Sequence, residues 1–177
     1  MSLLTTAHPD AASPAVAMQY QAITRAFGRV PNTLQLYSSS PTLLAQQWDA
    51  VQYYLQHATL TPALLATIRM LVSTDHDCAY CVGFNESLLI NWCGQSAAQV
   101  AATKANAEDA PLAAKERALL RLVLKAVRTP HAVQPADLDG LRALGWKDGD
   151  ILDAVTHGAR NVASDILINA FKIERDY

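Results

Sequence analysis

The chain is 177 residues long and 51% hydrophobic, within the size of one domain and rich enough in apolar side chains to bury a core. Lys and Arg number 14 against 16 Asp and Glu, a formal charge of -2 that gives no positive field to hold nucleic acid or anionic lipid. The segment from Met1 to Pro14 has no basic start and no apolar run of secretory length, and later apolar stretches are interrupted by Arg, Asp, Glu or Asn; the chain therefore reads as cytoplasmic, with neither nucleic acid nor membrane as a partner.

Apolar residues recur at three- and four-residue spacings and do not alternate, which predicts helices almost throughout and no strand. Ser13-Pro14, Ser40-Pro41 and Thr61-Pro62 each pair a polar cap with a proline in the first turn and mark three helix starts. The first helix runs from Pro14 to Phe27 and stops at Gly28, with a short turn after Asn32. The second carries Leu43, Leu44, Trp48, Val51, Tyr54 and Leu55, and the third Leu64, Leu65, Ile68, Leu71 and Val72, ending at His76-Asp77. A fourth begins near Cys78 and continues to Trp92-Cys93 before Gly94, and Ser96 caps a fifth. Asn106 to Pro111 is a short polar linker. Leu119 to Val127 lie on a helix ending at Thr129-Pro130, Asp137 to Leu144 on a shorter one closed by Gly145, and a long final helix spans Asp148 to Ile173. Both halves contain a four-turn helix leading through a break into another apolar helix, the pattern of a duplicated helical hairpin.

Three cysteines are too few for a secreted disulfide framework, so the close pair in Cys78-Ala79-Tyr80-Cys81 points to redox or metal chemistry. Two cysteines three apart at a helix start share a face and can close a disulfide reversibly. The positive end of the helix dipole favours the thiolate of Cys78 over that of Cys81. A zinc site would need four ligands, and along a continuous helix Cys93 lies about 18 Å beyond Cys81, so no metal or other cofactor is expected.

Leu71-Val72-Ser73 leading to Cys78-Ala79-Tyr80-Cys81-Val82-Gly83-Phe84 resembles the carboxymuconolactone decarboxylase superfamily, and within it the alkylhydroperoxidase D (AhpD)-like, peroxidase-related proteins. Phe27-Gly28-Arg29-Val30-Pro31-Asn32, Ser40-Pro41, Leu119 to Val127 and Gly145-Trp146-Lys147-Asp148 before Ile151-Leu152 extend the resemblance over most of the chain. It implies an AhpD-like all-α fold of about seven to nine helices over residues 1-177 as a single domain, with a Cys-x-x-Cys half at about 40-105 and a C-terminal half at about 112-174. It also implies homo-oligomers in which Cys78 and Cys81 reduce hydrogen peroxide or organic hydroperoxides through a disulfide cycle, recycled by a dithiol reductant.

Peroxidases of that family place a histidine four residues after the second cysteine and a glutamate twelve before the first, as a proton relay. Those positions hold Asn85 and Ala66 here. Asn85 lies one turn beyond Cys81, within hydrogen-bond reach of its sulfur, but an amide does not titrate. Losing an acid-base group costs about 10²–10⁴-fold in rate, so a redox-sensing or ligand-binding protein of the same fold is the alternative reading. Lactone decarboxylation fits least, because it too needs titratable groups at those positions. Two histidines are candidates for the absent acid-base role: His76, in the turn before Cys78, and His157, which forms a polar line with Asn161 and Asp165 at four-residue intervals on the last helix.

Overall fold

The computed structural model describes residues 2–177. Among the described residues there are nine α-helices and no strand: α1 (Pro14–Phe27), α2 (Asn32–Gln35), α3 (Pro41–Leu55), α4 (Pro62–Asp75), α5 (Ala79–Asn91), α6 (Ala97–Ala105), α7 (Ala114–Arg128), α8 (Pro135–Ala143) and α9 (Asp148–Ala170). The proline-led starts hold at α1, α3 and α4, and α1 ends at Gly28, whose φ of 75° is the left-handed geometry a C-terminal glycine supplies. No helix among the described residues is long and apolar enough to cross a membrane.

The helices group into two compact units. One takes the described residues through His57 together with Leu167–Tyr177, the other Ala58–Ile166. In the first, Val16, Tyr20 and Ile23 of α1 pack with Val30, Leu34, Leu44 and Trp48, and Phe27 meets the Trp48 ring edge-on at 5.9 Å between centroids. Its terminal segment is tied down by Asp176, which accepts from the Asn32 amide at 2.7 Å and pairs with Arg29 at 2.9 Å.

The second unit is built around α4, which buries every residue from Leu64 to Ser73 except Arg69. A helix apolar on nearly all sides belongs in the middle of a helical layer. Its N-cap Thr61 accepts a hydrogen bond from the Leu64 amide at 3.2 Å and donates one to Glu116 at 2.6 Å; Glu116 in turn accepts from the Ala113 amide at 3.0 Å, so one side-chain pair caps α4 and α7 together. Thr61→Ala is expected to cost about 1–2 kcal/mol, since it removes a cap and leaves buried Glu116 short of a donor. Thermal unfolding of the variant, compared with wild type, checks this.

α9 meets α7 and α4 at Gly158. A Cβ built there would lie 2.7 Å from Val123 Cγ1 and 3.2 Å from Val127 Cγ2, with Ile68 Cγ2 at 3.7 Å. Any side chain at residue 158 would crowd this crossing, and the close approach carries the polar line of α9 against α4.

Candidate active site

The cysteine pair sits where two helices share a cap. α4 ends at Asp75, and Asp77 turns left-handed at φ 51°. The Asp77 amide then reaches the Thr74 carbonyl at 3.4 Å and the Cys78 amide the Ser73 carbonyl at 3.0 Å. These are the two bonds of a Schellman motif, with aspartate filling a position that usually takes glycine. Cys78, its last residue, is also the N-cap of α5, and its carbonyl accepts from the Val82 amide at 3.0 Å. The three-residue junction therefore fixes Cys78 at the positive end of α5, with Cys81 one turn inside.

Both cysteines are free thiols and both are buried, Cys78 fully and Cys81 with 7% of its surface exposed. The carboxylate of Asp165 on α9 joins them: the two sulfurs and a carboxylate oxygen all lie within 4.8 Å of one another. Asp165 has no exposed surface and is held from two sides. Ser73 donates to Oδ1 at 2.9 Å, and Asn161 Nδ2 donates to Oδ2 at 3.0 Å while also meeting the Ser73 hydroxyl oxygen at 2.7 Å.

The electrostatics separate the two thiols. A hydrogen bond from the Cys81 thiol lowers the pKa of Cys78 against the effect of burial, and the Cys81 amide adds to this without forming a full capping hydrogen bond. Cys81 is pushed well up, first by giving its proton to that hydrogen bond, then by burial and the neighbouring carboxylate. Burial raises Asp165, which hydrogen bonds from Cys81, Ser73 and Cys78 and the charge of His76 offset only in part. Of the two thiols, Cys78 is thus the one the site disposes to give up its proton, and Cys81 the one it keeps protonated.

A second polar cluster lies one turn earlier on α4. Arg69, half-buried, donates from Nε to Asn85 Oδ1 at 2.7 Å and meets His157 Nε2 from Nη1 at 3.3 Å. Burial pulls its pKa down to about 10, against the electrostatic influence of Cys81 and then Cys93. Asn85 is buried and gives its amide protons to the Cys81 carbonyl at 2.7 Å. Its hydrogen bonds therefore go to Arg69 and to backbone, and the bond to the Cys81 sulfur that its position allows is not formed. His157 is buried and turned to Arg69. His76, half-buried at the α4 C-cap, is the histidine whose charge acts on Asp165. Cys93 stands half-buried beyond the end of α5, outside the sulfur–carboxylate group, and burial raises its thiol.

Cys78, Cys81 and Asp165 are the one set of three His, Cys, Asp or Glu donors among the described residues close enough to gather around an ion. A structural zinc site needs four protein ligands, and no fourth residue of these types joins the group.

No protein-family model matches the sequence, and no curated protein matches it. Solved structures do. An uncharacterized peroxidase-related protein from Ralstonia eutropha JMP134, described as an alkylhydroperoxidase AhpD core, superposes with a TM-score of 0.85 at 21% identity, over 99% of this chain and 92% of its own. The chain has the AhpD-like helical fold. An uncharacterized peroxidase-related protein from Silicibacter sp. TM1040 superposes with the same TM-score at 20% identity, again over 99% and 92%. A protein of unknown function from Agrobacterium tumefaciens reaches 0.63 at 20% identity, over 80% of this chain and 95% of its own. On this AhpD-like scaffold the all-helical expectation holds, and nine helices meet the expected seven to nine.

Sequence reading brought forward Cys78 and Cys81 but passed over three residues that surround them in this AhpD-like fold. Asp165 and Asn161 stood in the polar line of α9, where His157 drew attention because it titrates near neutrality. Ser73 lay within the Leu-Val-Ser run before the cysteines. The usable signal was the spacing: residues 157, 161 and 165 share a face with Gly158 beside it, and a glycine inside a long helix marks a close crossing. Arg69 had its own signal, as the one charge between Leu64 and Ser73.

Proposed function

We propose that this protein is a thiol oxidoreductase that reduces hydrogen peroxide or organic hydroperoxides through a Cys78–Cys81 disulfide, with a dithiol as recycling partner. The observation that carries this is the buried sulfur pair within 4.8 Å at the α4–α5 junction, with the Cys78 thiol lowered by its hydrogen bond to Cys81. The Cys78 thiolate attacks the terminal peroxide oxygen: a sulfur–oxygen bond forms, the oxygen–oxygen bond breaks, sulfur loses two electrons and an alcohol or water leaves. Cys81 sulfur then displaces the oxygen as water and closes the disulfide. A dithiol returns both thiols by exchange and leaves as its own disulfide.

Intact-mass measurement after one equivalent of peroxide is expected to show loss of two hydrogens, and peroxide consumption with dithiothreitol is expected to continue over many turnovers. Absence of the mass change would sink the proposal. A second reading follows from the burial of both sulfurs together with Asn85 and Ala66 at the relay positions: a redox sensor that oxidises once and is read by another molecule. It predicts the same mass change with no sustained consumption.

A further inference from the structure

We infer that Asp165 is the proton carrier of the thiol cycle, placed on α9 in the role that neither Asn85 nor Ala66 can fill. The inference rests on the thiol-redox reading and specifies the acid-base chemistry of the same site. Three observations support it. First, Asp165 is the one carboxylate in the group with both sulfurs, so a proton can pass to it from either thiol without an intervening residue. Secondly, its oxygens are positioned by Ser73 on Oδ1 and Asn161 on Oδ2, and a carboxylate has further lone pairs available on the same oxygens for the sulfurs. Thirdly, the carboxylate is fully buried, and burial raises its proton affinity above that of an ordinary carboxylate, which suits a group that takes a proton and returns it. The residues the family resemblance made prominent are engaged elsewhere: Asn85 with Arg69 and the Cys81 carbonyl, His157 with Arg69.

The protons balance through this one group. Asp165 takes the proton of Cys78 as the thiolate forms and gives it to the alkoxide or hydroxide released when the oxygen–oxygen bond breaks. It next takes the proton of Cys81 as that sulfur attacks, and gives it to the hydroxide leaving from the sulfenic acid, so that water departs. The carboxylate begins and ends ionised, and the sum is two thiols and one hydroperoxide giving one disulfide, one alcohol and one water.

The test is the rate of disulfide formation after one equivalent of hydrogen peroxide, followed across pH in the full-length protein. The groups facing Asp165 are Cys78 and Cys81 from α5, Ser73 from α4, His76 at the α4 C-cap and Asn161 from its own helix, so the profile reports the cluster. In wild type the rate is expected to fall as pH drops through an ionisation above the usual carboxylate range. Asp165→Asn is expected to close about 10²-fold or more slower, with no such acid limb and a rate that climbs with hydroxide. Ser73→Ala removes a hydrogen bond that favours the charged carboxylate, so it is expected to move the acid limb to higher pH with little change in the maximal rate. That shift is one a purely structural role would not produce, and it decides the matter if Asp165→Asn fails to fold. A wild-type rate and profile in folded Asp165→Asn, or an unmoved limb in Ser73→Ala, overturns the inference while leaving the disulfide chemistry standing. Failure of the wild-type protein to close a disulfide removes both.

Discussion

Cys78→Ser is expected to take up no oxygen from peroxide and to lose turnover by about 10³-fold or more, the scale on which removing a nucleophile acts. Cys81→Ser is expected to stop halfway, gaining one oxygen as a sulfenic acid that a 1,3-dione traps. The asymmetry follows from where the fold puts each sulfur. Cys78 is the N-cap of α5, at the positive end of the dipole, and the Cys81 thiol lends it a hydrogen bond. Cys81 lies a turn inside, with its own ionisation opposed by the Cys78 thiolate, by burial and by Asp165. A Cys81→Ala variant, which has no side-chain donor, removes the largest influence lowering Cys78. Its oxidation is therefore expected to need higher pH than that of Cys81→Ser. Mass spectrometry with dione trapping separates the outcomes: if Cys78→Ser gains the oxygen at the wild-type rate and Cys81→Ser does not, the attacking sulfur is Cys81.

The helices and the cysteine pair were legible because both are local properties. Caps, prolines and the 3.6-residue period sit within a few positions of one another, and Ser40-Pro41, Thr61-Pro62 and Gly28 mark boundaries that the structure keeps. Cys78 and Cys81 are three apart, so any helix start brings them together. Asp165 is a different case. It lies 92 positions from Ser73, and only the packing of α9 on α4 joins them. Sequence reading placed the polar line of α9 correctly on one face but chose within it by chemistry, favouring the imidazole of His157 over the carboxylate one turn pair further on. The fold chooses by depth along α9: His157 meets Arg69, and Asp165 meets Ser73, about one turn beyond Arg69 on α4. Arg69 was unread for a related reason, since a lone cation in an apolar stripe reads as a surface residue until a second helix is known to cover it.

Gly158 controls that depth, and its substitution is expected to act on stability and chemistry together. A methyl group there would stand 2.7 Å from Val123 Cγ1, and Val123 is fully buried, so α7 has nowhere to yield. Valine is also stiff about χ1, so the clash moves backbone before it moves a rotamer. Two effects oppose each other in Gly158→Ala: about 1 kcal/mol gained from helix propensity against about 1–3 kcal/mol of overpacking. The contact is short enough for overpacking to win, and a net loss of about 1 kcal/mol is expected. Gly158→Leu, which must displace Val127 and Ile68 as well, is expected to lose about 3 kcal/mol or more. Gly140 on α8 supplies the control, because a Cβ there meets nothing within 4 Å. Gly140→Ala is expected to stabilise by about 0.5–1 kcal/mol through propensity alone. Chemical unfolding of the three variants measures the differences, and a Gly158→Ala protein as stable as Gly140→Ala would show that the crossing is not tight. Any outward shift of α9 also lengthens the Ser73–Asp165 contact from 2.9 Å, so Gly158→Ala is expected to slow disulfide closure at a pH where it remains folded. A glycine that touches no reacting atom would then set the rate of a proton transfer seven residues along its helix, by fixing how closely a carboxylate approaches two sulfurs.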